Sequence, residues 1–100
     1  MLQYREQLDQ EMSDNIEIKS LSEELQNNPD SLELMFSLAS AYKKYEMMEE
    51  ALEEAMKIIK KDRAWNEKAA QTFILGIFKE LGNASPITQK YRKVYQRILN

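Results

Sequence analysis

Apolar side chains recur every third and fourth residue along most of this chain. A chain patterned in that way hides its apolar surface by folding into amphipathic helices that pack on one another. Ile18, Leu21 and Leu25 form a first stripe. A second segment carries Leu32, Leu34, Met35, Phe36, Leu38, Ala39, Ala41, Tyr42 and Tyr45, apolar on nearly every side, as expected of a helix held between others. A third sets Met48, Ala51, Leu52, Ala55, Ile58 and Ile59 on one face, with Glu49, Glu50, Glu53, Glu54, Lys57 and Lys60 on the other. Ala70, Phe73, Ile74, Ile77, Phe78 and Leu81 make a fourth, and Ile87, Tyr91, Val94, Ile98 and Leu99 a fifth. The whole chain has only two Gly and two Pro, too little turn chemistry for hairpins, so the fold class is all-α.

The polar punctuation divides these stripes. Asp14 with Glu17 and Asp30 with Glu33 read as capping boxes, and Asn27-Asn28-Pro29 stops the helix between them. Asp62–Asn66 is a break, with Asn66 the expected N-cap and Trp65 placed to pack back as in a hydrophobic staple. Gly82 is the expected left-handed C-terminal residue, and Ser85-Pro86 opens the last helix by cap and first-position proline. Upstream, Tyr4, Leu8 and Met12 lie four apart, a thin stripe that fits a short helix or a frayed end. The expected organisation is residues 1–13 as an N-terminal extension or partial helix and 14–100 as one domain. Its five to six helices are joined by short loops that favour antiparallel pairs.

One hundred residues suffice for a single core. With neither Cys nor His, the chain offers no thiolate nucleophile, no disulfide, no imidazole base and none of the usual zinc ligands, so neither an enzyme nor a cofactor is expected. No apolar run approaches the roughly 18 residues of a membrane span, and the N-terminus lacks an apolar signal core. The expectation is therefore a cytoplasmic protein without membrane contact. Paired carboxylates at Glu23-Glu24, Glu49-Glu50 and Glu53-Glu54 read as solvated helix faces, not as an acid–base dyad.

The net charge of −3 conceals an asymmetry. Residues 1–62 carry 15 acidic and 7 basic side chains, whereas 63–100 carry 2 acidic and 7 basic. Lys90, Arg92, Lys93 and Arg97 crowd one short segment. That segment reads first as a solvated face complementary to Glu46–Glu54, and next as a site for a protein with an acidic surface. Nucleic acid is not expected, because the overall balance is acidic and no reading motif is present.

From Leu32 to Arg63 the spacing of Met35, Leu38, Ala39, Tyr42 and then Ala51 resembles the tetratricopeptide repeat (TPR) pattern of bulky, Leu, small, Tyr on one helix and Ala on the next. The small residues Ala39 and Ala51 let two helices approach closely, and Tyr42 fills the adjacent gap. Departures from the pattern are Met35 for Trp, Ala55 where a ring is common, Glu46 where Gly is typical in the turn, and Arg63 for the closing Pro. The implied architecture is a TPR-like array of antiparallel helix pairs.

A wider likeness spans about residues 16–99. LQNNPDS, LASAY, EEALEEAMKIIKKD, TFILGIFKELG and SPITQKYRKVYQRIL, in that order, resemble the C-terminal TPR-like region of the thioredoxin-like co-chaperone family. That resemblance implies a module that binds a chaperone or an unfolded client protein. It also implies either a covalently attached thioredoxin domain in a parent protein or a stand-alone relative, since this chain has no CxxC motif. An oligomerisation domain with a self-interface is the competing expectation. The partner-binding residues expected are Lys90, Lys93, Tyr95 and Arg97 on the outer sides of the last helix, with Phe36 and Lys43 as a second face. Phe36, Leu75 and Tyr95 fall off the main stripes and would form an apolar patch if exposed. A clamp for a peptide carboxylate is not expected, because the matching face offers Phe36 and Ser40 with only Lys43 and Lys44 beyond.

Overall fold

A computed structural model describes residues 15–100, and among them the chain forms five helices and no strand. They are α1 (Ile16–Asn27), α2 (Leu32–Lys44), α3 (Met48–Lys61), α4 (Trp65–Leu81) and α5 (Pro86–Leu99). The stripe at Tyr4, Leu8 and Met12 and the cap expected at Asp14 lie outside the described residues.

Helices α1 and α2 begin at side-chain caps, each one residue beyond the sequence expectation, whereas Ser85 stands at the start of α5 without a side-chain cap bond. Asn15 caps α1, its side-chain oxygen accepting from the Ile18 N–H at 3.0 Å. Ser31, not Asp30, caps α2 by accepting from the Leu34 N–H at 3.2 Å. Asp30 instead takes Lys61 Nζ at 2.8 Å, which lowers its pKa, and so ties the α1–α2 turn to the end of α3. The break before α4 is organised by Asp62, whose carboxylate accepts the Ala64 N–H at 3.1 Å. Asn66 is not the N-cap: helix α4 starts at Trp65, and Asn66, Glu67 and Lys68 form a left-handed first turn with φ of 49, 54 and 65°. Gly82 has the expected positive φ (86°) and returns its N–H to the Phe78 carbonyl at 2.9 Å.

The turn between α2 and α3 carries a measurable strain. Glu46 stands at φ 62°, the left-handed region, where a Cβ costs roughly 1–2 kcal/mol. Glycine would relieve that strain, less its own larger loss of freedom on folding. Glu46→Gly is therefore expected to stabilise the domain by about 0.5–1 kcal/mol, raising Tm by about 2–8 °C. A fall in Tm in a thermal melt would mean that the Glu46 side chain contributes more than its backbone costs.

Packing follows chain order, each helix lying against the next, with α3 also against α5. The shortest dimension is 17 Å, the thickness of two helix layers whose axes lie about 8–10 Å apart. In one layer α2 and α4 are bridged by aromatic side chains, Phe36 meeting Trp65 and Phe73 at centroid distances of 5.6 and 5.5 Å. Helix α3 is the hub of the other layer. Its Ala51, Leu52, Ala55 and Ile58 are wholly covered, and they join Met35 and Ala39 of α2, Ile74, Ile77 and Phe78 of α4 and Tyr91 of α5 in the main core. Ile18, Leu38 and Ala41 form a smaller cluster that holds α1 onto α2, with Leu21, Leu25 and Tyr42 beside it. Of the five residues of the repeat pattern, Met35, Leu38, Ala39 and Ala51 are buried, and Tyr42 is half-buried beside both clusters.

Candidate partner-binding surface

The last helix presents its charges outward because its inner face is occupied. That face is not the one counted from apolar residues alone. Thr88, Tyr91 and Tyr95 are its buried centre, while Ile87, Val94, Ile98 and Leu99 are half-buried flanks. Tyr95 is therefore not available to a partner: it is 8 % exposed and packs edge-on against Phe78 at 6.1 Å between centroids. A tyrosine that falls one position off the stripe still carries a large apolar ring, and packing against both α3 and α4 widens the covered face enough to include it. The Tyr91 hydroxyl donates to Glu53 Oε2 at 2.8 Å, and burial, then that carboxylate, hold its pKa well above the ordinary tyrosine range.

The basic residues divide into engaged and unengaged groups. Lys90 reaches Glu49 Oε1 at 3.3 Å and lies 5.0 Å over the Tyr91 ring, which meets the expectation that this segment complements the acidic start of α3. Arg92 donates to Asn83 Oδ1 at 2.9 Å and stacks 5.6 Å from the Phe78 centroid. Lys93 and Arg97 are exposed and form no ion pair with any described residue. On α5 they are the two basic side chains with neither an ion pair nor a hydrogen bond to a described residue.

The second expected face is largely internal. Phe36 is half-buried between Trp65 and Phe73, so it is a bridge between α2 and α4 rather than a free patch. Lys43 is half-buried too, with Nζ 3.4 Å from Glu80 Oε2 and 5.8 Å over the Phe73 ring. Of the three residues set off the stripes, Leu75 alone is exposed, at 50 %. On the other side of the domain, Glu17 accepts from Lys44 at 3.1 Å and from the Tyr45 hydroxyl at 3.0 Å, contacts that lower its pKa.

The solvated reading of Glu54 is corrected. Glu54 is buried, at 8 % exposed, although it shares its helix side with Glu50 and Glu53. Its Oε1 is held by Lys57 Nζ at 2.8 Å, and Oε2 is buried with no hydrogen-bond partner. Sequence spacing did not disclose this burial, which arises where Glu54 faces Leu25, Met35 and Tyr42 of the neighbouring helices. Among the described residues no group of three His, Cys, Asp or Glu side chains converges as a metal site would require, and no helix is long and apolar enough to cross a membrane.

Searches of the curated proteins and of the solved structures each found no significant match. The family model for the tetratricopeptide repeat matches residues 11–100. Domains of that type generally act in protein–protein interaction and are typically not catalytic. The helix pairs, the full burial of Ala39 and Ala51 and this match agree, and the chain belongs to the tetratricopeptide repeat family.

Proposed function

We propose that this domain is the protein-interaction module of a thioredoxin-like co-chaperone in the cytoplasm, docking a chaperone or an unfolded client through the basic outer face of α5. The ordered likeness of five sequence blocks supports the co-chaperone assignment. The observation that carries the docking face is the pair Lys93 and Arg97, exposed and without an ion pair among the described residues, while neighbouring Lys90 and Arg92 are engaged. Exposed charges of this kind steer association more than they stabilise a fold.

The test is the double charge reversal Lys93→Glu with Arg97→Glu. A partner captured from cell extract on the wild-type chain, once purified, should associate about tenfold more slowly with the variant at low salt. The remaining rate should depend less on salt, and the Tm should be unchanged. Unaltered association would exclude the outer face of α5 as the docking site. Unfolding of the variant would make these charges structural. The exposed Leu75 favours a self-interface as the competing reading, and a concentration-dependent molecular mass in solution would support it.

A further inference from the structure

Helix α4 turns back on α3 through a joint that its own residues do not favour. From Lys60 to Ala70 the chain holds neither Gly nor Pro, the residues that ordinarily end a helix, and Ala64, at the start of α4, has no side chain that can cap it. The reversal is made instead by three consecutive left-handed residues, Asn66, Glu67 and Lys68, at φ 49, 54 and 65°. Each carries a Cβ crowded against the following carbonyl, and residues of that kind ordinarily turn left-handed singly, not in a row. All three are exposed, so no burial of their side chains compensates.

A right-handed turn at 66–68 would carry α4 onward along the axis of α3 and lift it from the core. Backbone preference and packing within one chain are therefore in conflict at this joint. The conflict disappears when the place of α4 on α3 is taken by the α4 of a second copy, because the interhelical contacts are remade while the left-handed turn is lost. The pattern on either side suits this. Buried Ile59 and buried Ala70 are eleven positions apart, three turns at about 3.6 residues per turn, so a helix continued from α3 into α4 keeps both on one face. The joint also complements itself. Right-handed helix stops at Lys61 and resumes at Ala69, with Trp65 midway. Two copies crossing antiparallel there set Asp62 against Lys68 and Arg63 against Glu67, unlike charges in both pairs.

We propose that this chain forms a domain-swapped dimer with a second copy of itself, in which residues 48–81 become one continuous helix and α4 with α5 packs on the α3 of the other copy. The two long helices, each about 51 Å, lie antiparallel and cross near Trp65. Straightening the joint gives up only exposed hydrogen bonds, those of the Asp62 carboxylate to the Ala64 N–H and of the Gln71 side chain to the Arg63 carbonyl. The exposed Lys93 and Arg97 travel with α5, so the docking face persists in either form. A self-interface at Leu75 is a different dimer, since it would join two closed chains.

The test begins with the full chain, unfolded and refolded at high and at low protein concentration. A dimer of twice the 11.8 kDa chain mass should form at the high concentration and separate slowly on dilution, because exchange requires α4 to leave the core. In a dimer of one ¹³C-labelled and one unlabelled copy, isotope-filtered NMR contacts should link Leu52 and Ile58 of α3 in one copy to Ile74 and Ile77 of α4 in the other. Glycine accepts the left-handed turn and weakens a helix, so the triple variant Asn66→Gly, Glu67→Gly, Lys68→Gly should lower the dimer fraction about tenfold or more. Alanine at the same three positions does the reverse and should raise it by about as much. A wild-type chain that stays monomeric after refolding at high concentration would overturn the proposal. Contacts between copies confined to the surroundings of Leu75 would overturn it too. If the alanine variant does not fold, the glycine variant decides, and a dimer fraction that glycine leaves unchanged would rule out the exchange.

Discussion

Leu52→Ala is expected to be the most damaging single truncation considered, costing about 2–5 kcal/mol. Leu52 has no exposed surface and sits on α3, the helix that packs against α2, α4 and α5 together. Removing its side chain opens a cavity at the junction of three interfaces, where no single helix can move in to fill it without leaving another. Domains of this size are held by only about 5–15 kcal/mol in total, so Tm should fall by about 10–30 °C. Leu75→Ala is the matched control. The same chemical change at a half-exposed position should stay within about 0.5 kcal/mol. If the two variants melt alike, α3 is not the hub of the core.

Ala51→Leu tests the opposite limit, too much volume in place of too little. Ala51 is fully covered where α3 meets α2, and Ala39 is fully covered on the facing helix, so both positions are small because the helices are close. Three added carbons have no void to enter and must push the helices apart or force a poor rotamer, at about 1–3 kcal/mol. The larger side chain also buries more apolar surface, which would stabilise if room existed. The sign of the change therefore reports the helix spacing directly. An unchanged or higher Tm would mean that α2 and α3 do not pair in the TPR manner.

The errors in reading the sequence share a cause that particular residues make plain. Asp30 and Ser31 are both good caps, and nothing local distinguishes them; the choice is made by Lys61, thirty-one residues away, which takes Asp30 as an ion-pair partner. Thr88 is polar and Tyr95 falls one position off the apolar stripe of α5, yet both are buried because α5 meets two helices. Glu54 follows Glu53 and reads as one of a solvated pair. It lies on the side of α3 that faces Leu25, Met35 and Tyr42, is buried there, and keeps Oε2 without a partner.

The sequence by itself determined that this chain is helical, roughly where each helix begins and ends, which small residues bring α2 and α3 together, and that no thiol or imidazole chemistry is present. Those properties are local, set by periodicity within one helix, by turn residues and by composition, so one dimension suffices to express them. The tertiary structure alone decided which side of each helix is finally covered, which lysines are spent on ion pairs, and that a cleft with a buried carboxylate lies between α1 and α3. Burial and charge pairing are relations between helices distant in sequence. A helix that meets two or three neighbours buries a wider arc than its own apolar stripe, so the burial of Tyr95 and Glu54 and the cleft were not legible until those neighbours were in place.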